Sequence, residues 1–241
     1  MKVIITKNYE EMSQKAFEIM IKVIKNNPHA VLGLATGTTP LGLYQKLIED
    51  HKKNGTSYKN IKTVNLDEYV GLDLNSDQSY IYFMRENLFN HIDIELKNTN
   101  IENGTAKNQE QECERYNKLL HEMQQDIQLL GIGSDGHIAF NEPGTPFDSE
   151  THIAELAEST IKDNSRLFEK IEDVPTKAFT MGLKNIMNAK KILIIANGNN
   201  KAQAVYNLVK GRVTEQVPAS ILQLHPNCTL VIDEAAASLI L

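Results

Sequence analysis

The 241 residues include no tryptophan, and the two cysteines, Cys113 and Cys228, lie far apart and outside any C-x-x-C pattern. That excludes a disulfide framework and a zinc knuckle. Glycine (13) and proline (7) are too few for a collagen or a low-complexity chain. No apolar run approaches the ~18 residues of a membrane-spanning helix. The amino terminus, MKVIITKNYEE, has no apolar h-region and no cleavage-like site, so no signal peptide is expected. Basic residues are also in deficit, 25 against 31 acidic, for a net charge of -6. Nothing there resembles an electrostatic footprint for nucleic acid, and an acidic surface suits an anionic membrane poorly. An anionic ligand would have to be held by a few placed groups. We expect a soluble cytoplasmic protein with one domain over residues 1–241.

What is present is an alternation of strand-like and helix-like segments. Residues 3–5 form a β-branched run, after which Met12, Ala16, Ile19, Met20 and Val23 recur at helical spacing. Asn8 can cap that helix, with Glu11 three residues on. Residues 30–35 (AVLGLA) are again a short apolar run, and Pro40 suits the first turn of the helix that follows. Further strands are expected at 62–66, 126–132, 190–196, 222–224 and 229–232, and further helices at 77–90, 108–125 and 200–210. The run KKILIIA is continuous and apolar, as a buried parallel strand should be. The alternation argues for an α/β fold with a mostly parallel sheet.

In such a sheet ligands bind beyond the carboxyl ends of the strands. Three strands end in unusual chemistry: TGTTP after AVLGLA, DEY after VNL, and GSDGH after QLLGI. Thr36-Gly37-Thr38-Thr39-Pro40 combines a glycine turn, hydroxyl donors and a helix start, which suits a phosphate or carboxylate, although a plain strand-to-helix turn has the same look. It is not a Walker loop, because Leu43-Tyr44 stands where Lys-Ser/Thr is needed. Gly131 to Gly136 matches G-x-G-x-x-G, but Asp135 would put a carboxylate where a pyrophosphate sits, and Pro143-Gly144 comes too soon for a crossover helix.

Asp135, His137 and Glu142 fall within eight positions and suit a proton relay in which carboxylates fix the imidazole tautomer. A histidine in a turn is as often a hydrogen-bonded surface group, so spacing alone leaves both readings open. A zinc site is a poorer fit, since His121-Glu122 lacks a second histidine at the right spacing. Asp67 and Glu68 are adjacent in a strand and point to opposite faces, so one can face a site while the other makes a structural contact. A carboxylate partly removed from water gains basicity and suits abstraction of a proton next to a carbonyl, although such a pair alone is more often a solvated acidic turn. Arg166 and Lys201 are isolated cations that could reach a phosphate, Lys201 falling just after the 190–196 strand, but exposed Arg and Lys are usually just solvated. Glu110, Glu112 and Glu114 read as the wet face of a helix, and residues 145–175 as a less regular excursion.

Together LGLATGTTPLGLY, VNLDEYVGL, GIGSDGHIAFNEPG, KDNSR and LQLHP resemble the isomerising glucosamine-6-phosphate deaminases, in order along nearly the whole chain. The resemblance implies a three-layer α/β/α, Rossmann-like sandwich. It implies conversion of glucosamine 6-phosphate and water to fructose 6-phosphate and ammonia in amino-sugar catabolism. By the same resemblance Asp67 is the base that moves a proton between C2 and C1. His137 opens the sugar ring with Asp135 and Glu142 as its carboxylate partners, and Thr36, Gly37, Thr38, Arg166 and Lys201 hold the phosphate. It implies a small-molecule sugar phosphate as partner and no metal or organic cofactor, and we expect a lid over residues 153–171.

One departure stands out. Allosteric hexamers of that family carry basic residues after the catalytic loop and a carboxyl-terminal extension. Here the stretch reads Glu150-Thr-His152-Ile-Ala154-Glu155, and the chain ends at Leu241. We therefore expect a monomer rather than a hexamer, with weak or absent activation by N-acetylglucosamine 6-phosphate. The nearest rival by resemblance is 6-phosphogluconolactonase. Asn141-Glu142-Pro143-Gly144 and Asp67-Glu68-Tyr69 favour the deaminase. A sugar-phosphate-sensing regulator would need a DNA-binding region, for which an acidic chain starting almost at its first strand leaves no room.

Overall fold

The structure is a computed structural model; it describes residues 1–157, 161, 168, 170 and 173–241. The strands are β1 (Lys2–Thr6), β2 (Val31–Leu34), β3 (Lys62–Asn65), β4 (Asp67–Tyr69), β5 (Thr99–Asn100), β6 (Ile127–Leu130), β7 (His152–Glu155), β8 (Lys177–Thr180), β9 (Ile192–Ala196) and β10 (Cys228–Asp233). The helices are α1 (Tyr9–Asn26), α2 (Leu41–Asn54), α3 (Tyr80–Asn87), α4 (Gln109–Glu122), α5 (Leu183–Met187) and α6 (Ala202–Lys210).

Seven strands form one sheet in the order β1-β10-β9-β6-β2-β3-β5, every pair parallel. Its central strands β6 and β9 are buried along their whole length; β9 is unbroken apolar sequence, and β6 is apolar but for the buried Gln128. The helices flank this sheet, so the α/β fold class stands. β2 leads outward to β3 and β5, whereas β6 leads the other way to β9 and β10. The switch therefore lies between the adjacent strands β2 and β6, the place where open α/β sheets form a ligand crevice. Both TGTTP and GSDGH open at that place.

Local rules explain the helix starts. The Asn8 side chain accepts from the Glu11 amide, Asn108 from Gln111 and Ser79 from Tyr82, each satisfying a first-turn N–H. Among the described residues, no helix is long and apolar enough to cross a membrane.

Four features depart from the sequence reading. The third strand does not run on to Asp67-Glu68. The chain leaves the main sheet after Asn65 and starts a second, antiparallel sheet, β4-β8-β7, with Asp67 opposite Thr180 and Tyr69 opposite Ala178. Residues 222–224 belong to a 3-10 segment, Pro218–Leu224, because the proline at its start favours a tight helical turn over a ladder. The helix expected at 77–90 is only Tyr80–Asn87, bounded by its Ser79 cap and a 3-10 turn, Phe89–His91. Glu112 is not wet. It is buried and holds Arg115 through two hydrogen bonds of 2.6 and 2.8 Å.

Candidate active site

A cavity of about 260 Å³ opens at the β2/β6 switch. It suits a ligand of one small ring and its substituents, just below the usual range of about 300–1,000 Å³ for drug-sized ligands. Its walls include Thr36, Gly37 and Thr38 after β2, Asp67 on β4, Gly133 and His137 after β6, and Lys201 just before α6. Six of the nine sequence-predicted site residues thus meet in one place, and a seventh and eighth, Asp135 and Glu142, stand directly behind His137. The ninth, Arg166, and most of the expected lid lie outside the described residues.

Two tyrosines, the buried Tyr44 and the partly buried Tyr9, tie down the 36–40 loop. The Tyr44 hydroxyl donates to the Ala35 carbonyl (2.5 Å) and accepts from the Ala35 amide (3.2 Å). The Tyr9 hydroxyl accepts from the Gly42 amide (2.8 Å) and reaches the carbonyls of Thr38 and Thr39 at 3.2 and 3.1 Å. With φ of +97°, Gly37 lets the chain turn so that its donors face inward. At the opposite wall the Gly198 amide donates to both carboxylate oxygens of Asp233 (3.0 and 3.1 Å), which fixes the turn that carries Lys201.

The turn after β6 is built around the imidazole. The Gly133 amide donates to the His137 carbonyl (2.9 Å), and the ring lies over Gly133 so closely that a methyl there would sit 2.3 Å from it. His137 Nδ1 is 2.8 Å from Asp135 Oδ1 and 3.6 Å from Glu142 Oε2. The contact with His137, opposed in part by burial, draws the Asp135 carboxyl down to about 2. Burial alone would lower His137, but Asp135 and Glu142 outweigh it and leave the imidazole above its ordinary value. Donor atoms of Asp135, His137 and Glu142 all lie within 4.8 Å of one another, and among the described residues this is the group with the spacing of a metal-binding set. The same geometry serves a relay with a proton in the ion's place.

Asp67 and Glu68 divide their roles as alternation on a strand requires. Glu68 turns away and accepts from the amides of Tyr69, Tyr80 and Ile81 at 2.9, 2.9 and 3.0 Å, anchoring the start of α3. Asp67 faces the cavity, only 7% exposed. Burial, reinforced by the charge of Glu68 and opposed by His137, pushes its carboxyl up to about 8. The site thus holds a carboxyl that binds its proton in the range where a general base works, opposite an imidazole whose partners stabilise its charged form.

Sequence reasoning missed three parts of this site. Tyr80 and Phe140, stacked at 6.3 Å with planes 12° apart, form an aromatic wall of the cavity. Ala139 lines it with φ of +52°, a strained conformation for a residue with a side chain. That turn is held by Asn141, whose amide donates to the Ile138 and Met181 carbonyls, both at 2.9 Å. The signal for Phe140 and Asn141 lay within the DGHIAFNEPG motif, but nothing in the string distinguishes a wall or a brace from filler.

Comparison with known proteins agrees. Residues 6–231 match the family of glucosamine-6-phosphate isomerases/6-phosphogluconolactonase. The chain is 53% identical over 241 residues to the glucosamine-6-phosphate deaminase of Thermoanaerobacter pseudethanolicus, covering 100% of this chain and 95% of that protein. A solved structure of a monomeric glucosamine-6-phosphate deaminase superposes with a TM-score of 0.97 at 48% identity, covering 99% of this chain and 100% of that one. The 6-phosphogluconolactonase of Trypanosoma brucei shares the fold alone, with a TM-score of 0.81 at 19% identity over 98% and 97% of the two chains. On its sequence and its structure, the chain belongs to the glucosamine-6-phosphate isomerase/6-phosphogluconolactonase family, among the glucosamine-6-phosphate deaminases.

Proposed function

We infer that this protein is a glucosamine-6-phosphate deaminase, converting glucosamine 6-phosphate and water to fructose 6-phosphate and ammonia in amino-sugar catabolism. The observation that carries the mechanism is that Asp67 and His137 face one cavity while loop 36–38 and Lys201 offer it donors and positive charge. A closed sugar ring has no acidic proton at C2. His137, backed by Asp135 and Glu142, moves the proton that opens the ring and exposes the C1 aldehyde, which makes C2 an α-carbon. Asp67 in its ionised form takes the C2 proton, giving a cis-enolamine, and returns a proton to C1. The resulting C2 imine adds water and releases ammonia, leaving the ketone. Thr36, Gly37, Thr38, Lys201 and Arg166 hold the phosphate, whose binding energy fixes the reacting carbons against Asp67.

Three further readings belong to the proposal. The protein acts as a monomer, supported by its likeness to a monomeric deaminase over 99% of the chain. Its place is the cytoplasm, where sugar phosphates are kept. The needed chemistry is acid and base chemistry that the chain's own side chains can supply.

The test is a product assay: glucosamine 6-phosphate should yield fructose 6-phosphate and ammonia in equal amounts, and 6-phosphogluconolactone should be hydrolysed no faster than its background rate. Lactone hydrolysis without ammonia release would overturn the assignment.

A further inference from the structure

Near enough to Asp67 to feel its charge, and not part of the cavity wall, lies a carboxyl that the mechanism above does not use. Glu102 follows β5 and has no solvent exposure. Neither of its carboxylate oxygens has a hydrogen-bond partner elsewhere among the described residues.

Its surroundings are fixed from both sides. The Asn103 amide donates to Glu112 Oε1 (2.7 Å) and Arg115 donates to the Ile101 carbonyl (3.3 Å), tying the segment to α4. The Tyr116 hydroxyl reaches the carbonyls of Asn65 (2.7 Å) and Asn100 (3.4 Å). On the other side the Gly71 amide donates to the Gly104 carbonyl (2.7 Å), and Gly104 packs so tightly that a methyl there would lie 2.4 Å from the Tyr69 carbonyl oxygen. The titratable groups facing Glu102 are Asp67 and Glu68 from β4 and Glu112, Cys113, Arg115 and Tyr116 from α4. The one cation among them, Arg115, is already held by Glu112.

An ionised carboxylate in that position would have no water, no free counter-ion and no donor beyond its own amide, so the charged form is disfavoured. Of three neighbouring carboxyls, Glu68 has three amide donors, Asp67 has the cavity, and Glu102 has only its own amide to stabilise charge. We propose that Glu102 is a positioning residue for the deamination, an acid kept uncharged between β4 and α4 so that Asp67 remains free to exchange its proton with the substrate. The proposal rests on the reading of Asp67 given above. Burial, and after it the charges of Asp67, Glu68 and Glu112, hold the Glu102 carboxyl well above the usual range. Were Glu102 ionised, a second carboxylate near Asp67 would hold the Asp67 proton more tightly and stop it from acting as a base near neutral pH.

Glu102→Gln replaces the neutral acid by a neutral group of the same size. Infrared difference spectra of wild type minus E102Q at neutral pH should show a protonated-carboxyl stretch, and the acid limb of kcat/KM against pH should move by less than about 0.3 unit. Denaturant unfolding gives a third readout that needs no catalysis. A group whose folded pKa is raised loses stability as pH climbs above its unfolded value, so E102Q should gain on wild type by up to about tenfold in the unfolding constant per pH unit above pH ~4.5. A carboxylate signature in the difference spectrum, a stability difference that is flat with pH, or an acid limb that falls by about one unit in E102Q would each overturn the proposal. The spectrum and the unfolding curves report on Glu102 even if the reaction assigned to the site is wrong.

Discussion

At the residue scale, the chemistry depends on two groups whose surroundings push their proton affinities in useful directions. Asp67 is a base only when ionised, and its carboxyl lies at about 8 in the free site. The wild-type kcat/KM should therefore rise with pH and level off above about 8, a limb that reports the free enzyme's base. The same burial has a cost in stability. Because the folded value is raised, ionising Asp67 weakens the fold progressively as pH rises from ~4 toward 8, so Asp67→Asn should be more stable than wild type at alkaline pH and no more stable at pH ~4. Chemical denaturation at both pH values checks the sign. His137 behaves differently, since Asp135 and Glu142 raise it. Asp135→Asn should lower the imidazole's NMR titration midpoint and remove the stability that the His137 charge contributes at low pH, which is lost as pH climbs through its folded value. An unchanged midpoint would mean that the 2.8 Å contact does not set the proton affinity.

At the scale of elements, the site is made by turns whose neighbours leave them little freedom. The imidazole occupies the space of a side chain at Gly133, so Gly133→Ala should displace His137 and reduce turnover while circular dichroism stays native. Tyr9→Phe removes the hydroxyl that links α1 to the 36–40 loop. One such hydrogen bond is worth about 1 kcal/mol, so KM should rise about fivefold with kcat little changed. If kcat falls instead and KM holds, the loop serves the chemistry and not the phosphate.

These turns were legible in the sequence because each follows a short apolar run, and glycine with hydroxyl or acidic residues after such a run has a local meaning. The departure of β4 was not legible. Asp67–Tyr69 pairs with Lys177–Thr180, far along the chain, and no local period marks such a partner. Glu112 was misread for a different reason: the run of alternate glutamates reads as one wet face, although a residue two along a helix turns to the other side, where Glu112 clamps onto Arg115 and Asn103. Glu102 sits in a stretch that reads as an ordinary loop, and its burial comes from elements packed on both sides.

At the scale of the whole molecule, the sheet order places the crevice and the residues at its rim decide its use. A lactonase at 19% identity shares the fold, so the fold alone does not choose the reaction. The stretch in which the family resemblance would place the activator-binding cations of an allosteric hexamer is otherwise engaged here. Glu150 pairs with Lys184 at 2.8 Å and with His121 at 3.4 Å, and His152 Nδ1 lies 2.8 Å from the Glu150 carbonyl oxygen. We expect hyperbolic kinetics, weak or absent activation by N-acetylglucosamine 6-phosphate, and the hydrodynamic size of one chain. A sigmoidal curve that the activator makes hyperbolic would contradict this, as would a larger particle in sedimentation.

The carboxyl of Asp67 is the group on which the proton transfer between C2 and C1 depends. The direct measurement is the turnover of Asp67→Asn, followed by simultaneous detection of fructose 6-phosphate and ammonia with saturating glucosamine 6-phosphate. Turnover should fall by roughly 10²–10⁴-fold while the variant remains folded and still binds the sugar phosphate. Near-wild-type turnover in a folded variant would show that another group moves the proton.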